Sequence, residues 1–133
     1  MDLNPTDILR LAIDRSSAIM TLWNIFIAVA TAVVGVMAKG FAGSRTLKLV
    51  LSGAFAIFAA SNLWAILRLG ELRTALLAML PADLPNHAAI VASLSPAEAW
   101  QYALFHGVLD LAVLGIIWLV RWPGGSSGSE SPR

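Results

Sequence analysis

The chain has 133 residues, 58% of them hydrophobic and 13% charged, with a mean hydropathy of +0.76. A soluble domain of this length does not need so apolar a composition, so water is not its expected main solvent. Nine Lys and Arg nearly balance eight Asp and Glu, leaving no basic field to hold nucleic acid, and the absence of cysteine excludes disulfides, thiolate metal sites and Cys nucleophiles.

At the start of the chain, Asn4, Pro5 and Asp7 form a helix-start pattern. A short polar side chain accepts an orphan amide proton, and proline at the first turn has none to lose. MDLNPTDILR carries acids and lacks the basic, short-cored form of a cleaved leader, so retention of this segment is expected. Residues 16–38 contain no charge over 23 positions, enough at ~1.5 Å per residue to cross a hydrocarbon core of ~30 Å. This is the first expected span, and residues 5–15 are its polar helical overhang. Lys39 and Gly40 close it, and the short KGFAGSRT loop forces an antiparallel hairpin.

The second span is expected at about 48–68, between Lys48 and Arg68, and its helical pattern runs on through ELRTALLAML as an overhang over 70–80, with a bend at Gly70 and an end at Pro81. Both hairpin arms then emerge on one side. Residues 81–94 hold two prolines and enough alanine for one short helix at the membrane interface. Ser95-Pro96-Ala97-Glu98 reads as a capping box, starting a third span at about 99–121 that is bracketed by Trp100 and Tyr102 at one end and by Trp118 and Trp122 at the other. Residues 123–133, PGGSSGSESPR, have the composition of a flexible tail, so the expected fold is one all-α transmembrane domain over 1–122.

Asp110 falls eleven residues from each end of the third span, near the bilayer midplane, where insertion of a carboxyl costs ~2.5 to 3.5 kcal/mol. An inert anchor would not carry it. His106, four residues earlier, shares its helix face, so an imidazole nitrogen can reach the carboxyl group. Counting along the spans at ~1.5 Å per residue puts Asn24, Asn62 and His106 within ~5 to 6 Å of their span centres, all on the same side. Asn24, Asn62, His106 and Asp110 therefore define an expected intramembrane polar layer, flanked by Thr21 and Ser61 on the outer side and by Thr31 on the inner side.

Two roles suit such a layer. Polar side chains can bind helices together where no hydrophobic drive exists, each bond contributing ~0.6 to 2 kcal/mol. Alternatively, His106 and Asp110 pass protons or touch an ion, as intramembrane ionisable pairs do in channels and transporters. One Asp and one His are too few for a metal or haem site, so no catalytic, cofactor or metal residue is expected. Small residues four apart, Ala28 and Ala32, Thr31 and Gly35, Ala56 and Ala60, would let helices approach closely. Arg68, Glu71 and Arg73 read as solvated interfacial anchors, and Trp23 and Trp64 as contacts between helices.

The sequence thus points to a small non-enzymatic multi-pass protein of the plasma or inner membrane, a subunit or homo-oligomer with lipid and other membrane chains as partners. The alternative is a proton-coupled channel or transporter built on His106 and Asp110. Lys39, Arg45, Lys48, Arg121 and Arg133 on one side against Arg10, Arg15, Arg68 and Arg73 on the other favour an outside N-terminus and a cytoplasmic C-terminus.

Overall fold

The computed structural model describes residues 4–39 and 45–119, and all regular structure among them is helical. Four helices follow one another: α1 (Pro5–Ala38), α2 (Arg45–Ala78), α3 (His87–Leu94) and α4 (Ala99–Leu119). Three helical stretches are long and apolar enough to cross a membrane: α1, α2, and the segment from His87 to Leu119 that ends in α4. The expected tail at 123–133, together with Gly40, Arg121 and Trp122, lies outside the described residues.

Local chemistry sets the ends of α1. The Asp7 N–H donates to Asn4 Oδ1 at 2.9 Å, Pro5 opens the first turn, and Lys39 is the C-cap, its N–H reaching the carbonyls of Gly35 and Met37. Helix α2 runs without interruption through Gly70, and the first overhang is likewise continuous with the long apolar stretch of α1.

The start of α4 differs from the capping box the sequence suggests. Pro96 holds Ser95 extended (φ −62°, ψ 132°), and the Ser95 hydroxyl turns back to donate to Val91 O at 2.7 Å. Ser95 therefore closes α3 instead of opening α4. The first turn is organised by Glu98, whose carbonyl accepts from the N–H groups of Gln101 and Tyr102 and whose own N–H donates to Gln101 Oε1 at 2.9 Å.

Burial along α2 follows a single stripe, Phe55, Ala59, Asn62, Ile66, Gly70, Arg73 and Leu77, at steps of four, three, four, four, three and four. Steps of three and four keep these residues on one face of the helix. Ile8, Ala12, Ile19, Phe26 and Met37 form the matching face of α1, and His106, Val113 and Ile117 that of α4. One apolar cluster gathers Phe26, Met37, Phe55, Ala59, Val113 and Ile117 between the three long helices. A second gathers Ile8, Ala12, Leu77 and Leu80, with Ile90, Val91 and Leu94 of α3 packed on it. Phe26 meets Phe55 while Ile8 meets Leu77, so α1 and α2 are antiparallel, and the two overhangs pack on each other under α3.

Spin labels at Arg10 and Met79, both exposed, are accordingly expected to give one narrow distance distribution in pulsed dipolar spectroscopy. A distribution as broad as that of a disordered segment would show that the arms separate.

Outside these clusters the polarity is inverted relative to a water-soluble bundle. Leu119 is 82% exposed, Ile57 72% and Leu111 71%, whereas Asn62, Arg73 and His106 are buried.

Candidate functional site

The stripe carries Asn62 into the centre of the bundle by its period alone, three positions after Ala59 and four before Ile66. Opposite it, α4 presents His106, which has no exposed surface. Asn62 Nδ2 and His106 Nε2 are 3.3 Å apart, and His106 Nδ1 is 2.9 Å from Asp110 Oδ2. The result is a continuous chain, Asn62–His106–Asp110, joining α2 to α4 and then passing one turn along α4. The sequence relation of His106 to Asp110, four apart on one face, is what places the second link.

Aromatic rings enclose the imidazole. Phe26 lies 4.3 Å from it, centroid to centroid, and Trp23 5.4 Å, both on α1, while Phe105 meets Trp23 edge-on at 5.5 Å. Phe58 lies nearly parallel to Phe26, with 6.4 Å between ring centres. All three long helices thus contribute to the environment of His106, with α1 supplying only apolar rings.

One imidazole tautomer satisfies both ring nitrogens. With the proton on Nδ1, that N–H donates to the Asp110 carboxylate and Nε2 accepts from the Asn62 amide, so both ring nitrogens are satisfied. One atom is left over. Asp110 Oδ1 is buried without a hydrogen-bond partner, although the side chain as a whole is 23% exposed.

The polar layer drawn from depth alone is thus only partly assembled. Asn62, His106 and Asp110 come together; Asn24, Thr21, Thr31 and Ser61 are exposed and do not join them. The reason is angular. Asn24 is two residues from the inward Phe26, about 200° around the helix at ~100° per residue, and Ser61 is turned ~100° from its neighbour Asn62. The Thr21 hydroxyl donates to Ser17 O at 3.1 Å within its own helix.

Three further expectations are corrected by the same geometry. Arg73 is not solvated: it occupies the α2 stripe, 8% exposed, and its Nε has no hydrogen-bond partner. Continuing the stripe from Phe55 through Ile66 and Gly70 would have found it. Arg68 and Glu71, by contrast, form an exposed ion pair at 2.9 Å. Trp64 is not a contact between helices but lies 65% exposed with the Arg68 guanidinium 5.8 Å from its ring centre, because its neighbours two residues either way, Asn62 and Ile66, take the inward positions. The paired small residues Ala28 and Ala32, Thr31 and Gly35, Ala56 and Ala60 are likewise exposed and take no part in packing within this chain. Trp23 does make the contact between helices expected of it, against Phe105 and His106 of α4. At the other end of α4, Trp118 Nε1 donates to Ser52 Oγ at 3.0 Å, with Lys48 Nζ 5.9 Å from the ring centre.

Among the described residues, no three of His, Cys, Asp or Glu gather closely enough to hold a metal ion. The chain matches no protein-family model, and no curated protein or solved structure matches it.

Proposed function

We propose that this chain is a multi-pass membrane protein with a structural, non-enzymatic role, acting as a subunit or homo-oligomer whose Asn62–His106–Asp110 chain clamps α2 to α4 inside the bilayer. The observation that carries the reading is the inverted polarity: large apolar side chains face outward along three helices, while an amide, an imidazole and part of a carboxyl group are hidden between them. In water that exposed surface would drive association, and in lipid it is solvated at no cost. The buried polar chain then supplies what lipid-phase helix association lacks, a directional bond.

In this reading α1, α2 and α4 are the spans, the two overhangs and α3 lie at one membrane boundary, and the Lys and Arg distribution sets the N-terminus outside a plasma or inner membrane. Trp100, 59% exposed, and Trp118, 42% exposed, fit the two interfacial levels of the third span.

The second reading, a proton-coupled channel or transporter, is favoured by one observation, the buried and unpartnered Asp110 Oδ1 on a carboxyl group whose other oxygen lies 2.9 Å from the His106 imidazole. Asp110→Asn separates the two, because an amide keeps the shape of the carboxyl group and cannot titrate. With a structural clamp, the variant is expected to be as abundant and as stable as wild type, and neither protein to show pH-dependent proton flux in proteoliposomes. Flux through wild type that the Asp110→Asn variant abolishes would overturn the structural reading.

A further inference from the structure

We propose that the cleft between α1 and α2, at the end of the bundle where the overhangs begin, is a site for one anionic phospholipid. Arg15 and Arg73 hold its phosphate, and an acyl chain lies along the apolar wall beside them. The proposal rests on the membrane reading above and adds to it the class of ligand and the residues that bind it.

Two arginines stand on inward faces of the hairpin. On α2, Arg73 belongs to the buried stripe and is 8% exposed. On α1, Arg15 falls three residues after the buried Ala12 and four before the buried Ile19, and is itself half-buried. The helices run antiparallel with Ile8 beside Leu77 and Phe26 beside Phe58, so counting along both puts Arg15 level with Gly70, within one turn of Arg73.

Arginine is not deprotonated in proteins, so a buried guanidinium needs a counter-charge. Among the described residues no carboxylate lies within 4 Å of either arginine, and Arg73 Nε is buried without a hydrogen-bond partner. Glu71 is engaged by Arg68, and Glu98 accepts from the Trp100 indole. Gly70 leaves room at this level: it is buried, yet a Cβ built on it would meet nothing within 4 Å.

The cleft has the complementary polarity. It is open, predominantly apolar and about 550 Å³ in volume, lined by Ala18, Leu22, Trp64, Ala65 and Leu69 with Arg68 on its wall. Arg15 lies one turn before Ala18 and Arg73 one turn after Leu69, so in antiparallel helices both stand beyond the same end. In the membrane reading that end is the bilayer boundary. Arg15 directly precedes the first span, and Arg73 lies five residues, ~8 Å, past the second, within a headgroup layer ~5 to 8 Å deep. A neutral lipid or an apolar helix would fill the cleft and leave Arg73 uncompensated. An anionic phospholipid fills it and supplies a phosphate, which a guanidinium grips through two parallel N–H···O bonds.

Native mass spectrometry of the full chain in detergent, titrated with phosphatidylglycerol or phosphatidylcholine of identical acyl chains, tests the site. One phosphatidylglycerol is expected to bind in preference to phosphatidylcholine. Arg73→Met and Arg15→Gln are each expected to weaken it about 10- to 100-fold, the range of one charged hydrogen bond. Arg10→Gln, which removes the same charge from an exposed position of α1, should leave it unchanged. Ala65→Phe, which fills the cleft, should weaken it without touching the arginines. Without lipid, Arg73→Met is expected to melt no lower than wild type, because an apolar side chain replaces a buried charge, and to lose only the rise in melting temperature that phosphatidylglycerol gives wild type. Arg15→Gln carries the same reading if Arg73→Met fails to fold. Equal binding of the two lipids, equal losses at Arg10 and Arg73, displacement of the lipid by inorganic phosphate, or a bound polypeptide in its place would each overturn the site and leave the membrane reading standing. A chain that does not float with phosphatidylcholine–phosphatidylglycerol vesicles would overturn both.

Discussion

Replacing His106 with alanine is expected to destabilise the bundle by about 3 kcal/mol, the largest effect of any single polar substitution in the chain. Two losses add. The imidazole is fully enclosed, so its removal leaves a cavity among Phe26, Trp23 and the facing helices, and the deletion of large buried side chains costs in proportion to the void left behind. It also strands two groups, the Asn62 amide and Asp110 Oδ2, in a region that cannot rehydrate them. The contributions can be separated. His106→Leu refills most of the space but restores neither bond, and is expected to cost about 1 to 3 kcal/mol, twice the ~0.6 to 1.7 kcal/mol of one interhelical hydrogen bond. Reversible unfolding in mixed micelles measures both variants. A leucine variant at least as stable as wild type would mean that the polar chain does not hold α2 against α4.

The second large effect is expected at Phe26, the residue around which the apolar cluster is arranged. It is 2% exposed and touches rings from every long helix: Trp23 on its own helix, Phe55 and Phe58 on α2, His106 on α4. If the three long helices span a bilayer, as proposed, the usual gain from leaving water is largely absent, because the spans would remain in lipid when they separate. What survives is the cavity. A void on the order of 100 Å³ at ~24 cal/mol per Å³ corresponds to about 2.4 kcal/mol for Phe26→Ala. Leu111→Ala makes the internal comparison: the side chain is 71% exposed, and its loss is expected to change stability by less than about 0.5 kcal/mol. Equal effects at the two positions would mean that the packing around Phe26 does not decide stability.

The helices were legible in the sequence because their signals are local. An uncharged run of a given length, the Asn4-Pro5-Asp7 start and the i, i+4 relation of His106 to Asp110 all depend on neighbours along the chain. Depth was legible too, since a count of residues from a span's end fixes height, and that count brought Asn62 and His106 to one level. Azimuth was not. In a water-soluble helix the apolar stripe announces the inward face, but here nearly every position is apolar, so the pattern that would have turned Asn24 outward and Arg73 inward is weak. The three-four stripe of α2 holds that information only when followed through residues that break the polarity rule. Asn62 and Arg73 are read as stripe positions by their spacing, not by their chemistry. The failed capping box has a similar cause. Ser95 has a hydroxyl that can serve either of two adjacent helices, and here it bonds back to Val91 O while α4 begins only at Ala99.

The most direct test of the three-span account uses the cysteine-free chain with one cysteine at a time at Thr6, Arg45 and Ala88, all exposed and all near the ends of helices. An impermeant maleimide added to one face of oriented vesicles is expected to label Thr6→Cys and Ala88→Cys together, and to label Arg45→Cys only from the other face, because one crossing separates the first site from the second and another returns the chain before the third. Labelling of all three from the same face would contradict the account.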